Sequence, residues 1–307
     1  MGGPVNARRL PTAYLEQPCR AALHHVVGMG FEWSLNPYVG CAHRCTFCYV
    51  RSFERRADRA SDERYGRTVR VKVNIAERLR WELSRRSWQR QSVHIGTATD
   101  PYQPAEGSYR LTRACLVALD DFRTPAALIT RGPMAVRDID VLATMTAHAG
   151  ATVIFSVPTL DDAVWRTTEP GTAPPRARLR ALERLRAAGV NAGVAVAPIL
   201  PGLSDGADSL AAVLAAARRS GASFVWPSMV RLQPGTREHF IEALSRDWPE
   251  LVPRYQQIFA GRTSVPSAVA APALEAMASL RARWGFSEQP APRREPPAAP
   301  RQLALRL

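Results

Sequence analysis

Residues 32–50 read EWSLNPYVGCAHRCTFCYV. Trp33 and Leu35 alternate with polar neighbours and are closed off by Pro37 and Gly40, which predicts a short β-strand. The strand runs straight into a loop carrying Cys41, Cys45 and Cys48, spaced C-x₃-C-x₂-C and three of the chain's five cysteines. No fourth cysteine follows at a matching distance, although an iron–sulfur cube or a tetrahedral zinc normally takes four protein ligands.

That strand is the first of a series. SVHIGTATD (92–100), PAALITRG (125–132), ATVIFSVP (151–158), NAGVAVAPILPG (191–202) and ASFVWPSMVRL (222–232) are further β-type runs, each ending in Gly, Pro or polar residues. Between them, apolar residues recur every three or four positions at 75–87, 109–122, 136–148, 175–188 and 207–219, as in Leu179, Leu182 and Leu185. Repeated βα units imply parallel strands with helices outside them. A full eight-fold barrel takes about 250 residues. Six units predict an α/β fold of the partial (β/α)6 TIM-type barrel kind, with a helical C-terminal extension. Ligands in such folds gather at the C-terminal ends of the strands, and the cysteine loop belongs on that face.

The predicted organisation is an N-terminal arm over 1–32, the barrel over 33–235, the extension over 236–286 and a disordered tail over 287–307. The extension offers Phe240, Leu244, Phe259 and Leu280 to cover the barrel, and the tail holds five prolines in 21 residues. Residues 51–72, rich in arginine, read as a solvated loop or helix. No apolar run is long enough for a membrane span, the first residues lack the apolar core of a secretory signal, and the cysteines cluster rather than pair across the chain. These features predict a cytoplasmic protein. The net charge of +14, from 41 basic and 27 acidic residues, makes nucleic acid a candidate partner. Because Lys72 is the only lysine, the same bias also follows from genome base composition.

Three thiolates can hold three irons of a [4Fe–4S] cube and leave the fourth free, by the logic of the open position on a catalytic zinc. A molecule offering an amine and a carboxylate, such as the methionine end of S-adenosylmethionine, could chelate that iron. With Phe47 before the last cysteine, the motif resembles that of the radical S-adenosylmethionine (radical SAM) enzymes. SLNPYVGCAHRCTFCYVR (34–51), GTATDPYQPAE (96–106), LITRGPMAVRDIDVL (128–142), SVPTLDDAVWRTTEPG (156–171) and VAPILPGLSD (196–205) resemble the branch that contains spore photoproduct lyase, a DNA-repair enzyme, and its uncharacterised relatives. The resemblance implies reductive cleavage of the cofactor to a 5′-deoxyadenosyl radical, and an electron donor such as flavodoxin or ferredoxin. A competing reading is a non-catalytic basic nucleic-acid-binding protein with a structural metal site, His24, His25 or His43 supplying a fourth zinc ligand.

Thr99 and Asp100 end the second strand, and hydroxyl and carboxylate acceptors suit an ammonium. The resemblance places the cofactor's amino group there. Arg131 and Ser156 end the third and fourth strands and, by the same resemblance, take its carboxylate. Phe47 either flanks the adenine or packs under the loop. Glu106 and Glu169 either touch substrate or brace loops, and Tyr102 either stacks on a base or relays a radical. Cys115 reads as a buried core thiol, and Cys19 as part of an irregular arm. One departure limits the resemblance. The repair lyase returns hydrogen from an additional cysteine near the end of its second strand, whereas GTATD has none, and the O–H bond of Thr97 is too strong to substitute for S–H.

Overall fold

The computed structural model describes residues 12–286, so the 287–307 tail expectation lies outside the described residues. The chain opens with strands β1 (Ala13–Gln17), β2 (Leu23–His25), β3 (Trp33–Leu35) and β4 (Tyr38–Val39), then helix α1 (Val50–Arg56), β5 (Thr68–Lys72) and α2 (Ile75–Leu83). Next come β6 (Val93–Ile95), α3 (Glu106–Tyr109), α4 (Leu111–Asp121), β7 (Ala126–Thr130), a 3₁₀ turn at Pro133–Asp138, α5 (Ile139–His148) and β8 (Ala151–Ser156). They are followed by α6 (Asp162–Thr168), α7 (Pro175–Ala187), β9 (Asn191–Ile199), α8 (Ala207–Arg219) and β10 (Val225–Met229). The chain finishes with α9 (Thr236–Asp247), α10 (Val252–Ile258) and α11 (Ser267–Trp284).

The larger sheet has the order β10-β9-β8-β7-β6-β3-β2. Six of its strands, β3 and β6 to β10, pair in parallel with their neighbours, and only the short edge strand β2 runs antiparallel. This is the six-strand series expected from the apolar runs, wound in chain order as parallel crossovers require. Alternation in β7 buries Ala126, Leu128 and Thr130, and in β8 it buries Ala151, Val153 and Phe155. Helices α4, α7 and α8 close the outside through Leu116, Leu119, Leu182, Leu185, Leu210 and Leu214, all fully buried. At about 25 cal/mol per Å² of apolar surface, each such leucine contributes roughly 1.5–3 kcal/mol.

Two regions differ from the expectation. The 12–32 segment contributes strands to both sheets: β1 lies parallel to β5, and β2 edges the barrel. Its mostly exposed residues show no alternation of buried and exposed positions, since β1 has no buried side chain. The charged connector likewise ends in β5, where Val69 and Val71 are fully buried between arginines. Pairing of β5 with β1 and β4 builds a small second sheet beside the cysteine loop.

The helices after β10 pack against the cysteine loop. Phe240, Leu244 and Phe259 form an apolar cluster with Tyr255, Leu200 and Leu232, and that cluster includes Cys45 and Phe47 from the loop. Leu280 packs on the main core.

Candidate active site

The cysteine loop follows β4 at the C-terminal end of β3, with Cys41 and Cys45 buried and Cys48 half-buried. It is held by three later segments. Ala42 N–H donates to the Gln103 side chain at 2.9 Å, and the Gln103 amide donates to Gly40 O and to the Thr99 hydroxyl. Thr46 N–H reaches Thr168 O at 2.9 Å, and Gly171 N–H reaches His43 O at 3.0 Å. The Thr236 hydroxyl donates to Cys48 O at 3.1 Å.

Two glycines set this closeness. A side chain on Gly66, whose φ is +74°, would stand 2.2 Å from Cys41 O. One on Gly171 would stand 2.4 Å from Ala42 O. Both contacts are with backbone, so neither position admits a Cβ without moving the loop. Inside the loop, the Arg51 guanidinium, 1% exposed, donates to the carbonyls of Cys45, Ser61, Asp62 and Arg44 and stacks 4.5 Å over Tyr65.

Arg131 and Ser156 stand at the ends of β7 and β8, whereas β6 stops at Ile95, so Thr99 and Asp100 lie in the loop after it and not at the strand end as expected. Thr99 donates its hydroxyl to Gly40 O at 2.7 Å. Asp100 accepts from Tyr102 N–H, the Thr130 hydroxyl and Arg131 N–H at 2.6–2.8 Å, and its Oδ2 lies 3.3 Å from His43 Nδ1. Burial opposes ionisation of Asp100, but His43 and the donors from Thr130 and Arg131 outweigh it and hold the carboxyl at about 2. Thr99 and Asp100 therefore brace the loop, with their polar atoms engaged inside the protein.

Arg131 donates through Nε to Glu169 at 2.5 Å and through Nη2 to Ala197 O at 3.3 Å. Glu169 also accepts from Arg178 at 2.6 Å, and Arg178, 0% exposed, donates to Ser156 O. Burial would raise the Glu169 pKa, yet Arg178 and Arg131 keep it below the usual carboxylate range. The Arg131 side chain keeps 20% exposure, whereas Thr99, Asp100, Phe47 and Ser156 keep 8% or less. Among these five, Arg131 is the group the mouth offers to a ligand.

Phe47 packs in the apolar cluster under the loop, with the Arg131 guanidinium 5.5 Å from its ring centre. Glu106 braces: fully buried, it accepts from Tyr38, Thr112 N–H, Arg113 N–H and Arg137. Tyr102 is buried and donates to Asp138 at 2.9 Å. Cys115 lies fully buried in α4.

Sequence reasoning missed Gln103, Arg51 and Arg178. Arg178 sits in PRARLRALERLRA, where nothing separates it from the other arginines of α7. Gln103 had a signal, its place between Asp100 and Glu106 at the turn after the second barrel strand.

Burial pushes the Cys45 thiol up to about 12, with Arg131 pulling the other way, and pushes Cys41 well above the ordinary thiol range. Free thiols there stay protonated, and a bound metal would deprotonate them. Among the described residues, no three His, Cys, Asp or Glu side chains gather around one metal-ion position.

The profile of the Radical SAM superfamily matches residues 35–213. The chain belongs to the radical SAM superfamily. An uncharacterised protein of Mycobacterium tuberculosis is 34% identical over 94% of this chain and 88% of its own length. A radical SAM Nα-GlyT isomerase of Pseudomonas phage M6 is 27% identical over 54% of this chain and 33% of its own. Spore photoproduct lyase in complex with a dinucleoside spore photoproduct shares the fold, with a TM-score of 0.66 at 16% identity over 88% of this chain and 79% of that one. Radical SAM membership implies an enzyme that uses S-adenosylmethionine, an iron–sulfur cluster and an electron donor. It replaces the reading as a non-catalytic basic binding protein. The donor set fits the cluster: three thiols on one braced loop, with a cation beside Cys45.

Proposed function

We propose that Cys41, Cys45 and Cys48 hold a [4Fe–4S] cluster whose fourth iron takes S-adenosylmethionine. Arg131 receives the cofactor's carboxylate, and Ser156, Thr99, Asp100 and Phe47 stand behind it, shaping the walls that the carboxylate, amino group and adenine approach. Held by Cys41, Cys45 and Cys48, the cluster would supply the electron for reductive cleavage of S-adenosylmethionine, and the 5′-deoxyadenosyl radical so released would serve for hydrogen abstraction from the substrate. The chain's residues prepare the place. Glu169 and Ala197 O fix the Arg131 guanidinium, so its positive charge stands where an anionic carboxylate is to be held. The apolar cluster around Phe47, with α9 and α10 over it, keeps water from the loop's inner side.

The observation that carries this reading is the three-cysteine loop at the C-terminal mouth of a six-strand parallel barrel with Arg131 beside Cys45. Cleavage of the spore lesion is not part of it. The Thr97 hydroxyl accepts from Asn36 at 3.2 Å, and Cys115 is sealed in α4, so no thiol stands ready as hydrogen donor at either position. A flavodoxin or ferredoxin supplies the electron, and the net charge makes nucleic acid the first substrate class to test.

The test is anaerobic reconstitution. About four irons per chain should bind, and the EPR spectrum of the reduced cluster should change when S-adenosylmethionine is added. Dithionite should then release 5′-deoxyadenosine. No 5′-deoxyadenosine from a four-iron protein overturns the proposal.

A further inference from the structure

Away from the mouth, a groove of about 440 Å³ opens on the flank of the barrel beside α2. Its walls include Trp33, Trp81, Trp88, Arg20, Arg78 and Arg85. Trp33 is the first residue of β3, and the cysteine loop lies beyond that strand's other end.

The groove is cationic. Its single acidic wall residue, Glu82, is spent on the backbone N–H groups of Ala22 and Leu23 at 2.9 and 2.8 Å. Arg78 gives Nε and Nη2 to Arg20 O and lies 4.6 Å from the centre of the Trp81 ring. Arg85 lies 3.8 Å from the same centre. Trp81 itself is 47% exposed, a large aromatic face left in water under two guanidiniums. Trp33 adds a buried indole N–H with no acceptor among the described residues, although buried donors are nearly always satisfied.

A plain anion would need the arginines and not three tryptophans. An apolar ligand would need the tryptophans and be opposed by the arginines. An exposed aromatic platform beside three guanidiniums suits a chain of stackable rings joined by phosphates. We propose that this flank binds single-stranded nucleic acid. One base stacks on Trp81 as Arg85 swings from the ring to a phosphate, and Arg20 and Arg78 follow the backbone. Duplex DNA keeps its base faces stacked and does not fit. The proposal concerns a docking surface and does not depend on the chemistry at the mouth.

Anisotropy titrations of the reconstituted full-length protein with a labelled oligo-dT of about 12 nucleotides test it, at about 50 and about 200 mM salt. Trp81→Ala should weaken binding about 10-fold, and Trp81→Phe should keep it within about 3-fold of wild type. Arg78→Gln combined with Arg85→Gln should lower the salt dependence by about two counterions. Wild-type affinity in Trp81→Ala overturns the proposal, as does equal affinity for a duplex of the same length. Seating on anionic phospholipid vesicles without oligonucleotide affinity overturns it too. Since Trp81 is half exposed, Trp81→Ala should keep the wild-type urea midpoint and form 5′-deoxyadenosine at the wild-type rate, so docking and mouth chemistry are read separately.

Discussion

The mouth and the flank use the same residue types in opposite ways. At the mouth, Arg131 and Arg178 are tied to Glu169 and to backbone carbonyls, and Arg178 has no exposure. On the flank, Arg85 lies exposed over an indole that it shares with Arg78, which is half-buried and bonded to Arg20 O, and Arg20 is exposed beside them. Buried guanidiniums are structural and make their surroundings rigid, because an uncompensated charge out of water is expensive. Exposed ones contribute little to stability and stay available to a partner. Among the described residues the arginines therefore include two unlike populations, and only the second can contact a polyanion.

The strongest way to break the contrast is at the loop itself. Cys45→Ala should lose most of its iron and form 5′-deoxyadenosine at least about 100-fold more slowly, read by iron assay and product chromatography. At the triad, Glu169→Gln leaves Arg131 and Arg178 facing each other without their carboxylate. The expected loss is about 3–5 kcal/mol of unfolding free energy in urea. A loss below about 1 kcal/mol would mean that water reaches the triad and that the mouth resembles the flank.

Asp100 sharpens the comparison through pH. Its folded-state pKa of about 2 lies below the ordinary 3.8. Its contribution is thus full above about pH 4 and is lost as pH falls toward 2, amounting to about 2 kcal/mol. Asp100→Asn should be less stable than wild type by about that much at neutral pH, and the gap should close in acid. The smallest effect belongs to the flank: Arg85→Gln should change stability by less than about 0.5 kcal/mol.

The barrel was legible because each of its strands carries an apolar run and each run is followed by a helical period. Val153 and Phe155, then Leu179, Leu182 and Leu185, show both periods in succession. The small sheet was not, because β1 buries nothing, the buried Val69 and Val71 of β5 lie among charged residues, and their pairing joins segments some 55 positions apart. The cysteine loop was legible from spacing alone. Arg131 and Ser156 do lie at strand ends, whereas β6 stops at Ile95 and Thr99 and Asp100 stand in the loop beyond it. Their bonds were not legible. Asp100 and Thr99 serve the loop through Gln103, Thr130 and Gly40, partners that only the folded chain brings near. Arg131 and Glu169 were each singled out, but their contact with one another and with Arg178 comes only through tertiary packing.

The four carbonyls gathered by Arg51 have a consequence for how the protein acquires its metal. A side chain that ties Arg44, Cys45, Ser61 and Asp62 together gives the loop its curvature from within the polypeptide. Loading iron and sulfide is then the filling of a standing mould and not a folding event, unlike small zinc modules that order only around their ion. The metal-free chain should keep its far-ultraviolet circular dichroism unchanged through reconstitution. Arg51→Gln would turn assembly into a slower step that has to shape the loop as it fills it.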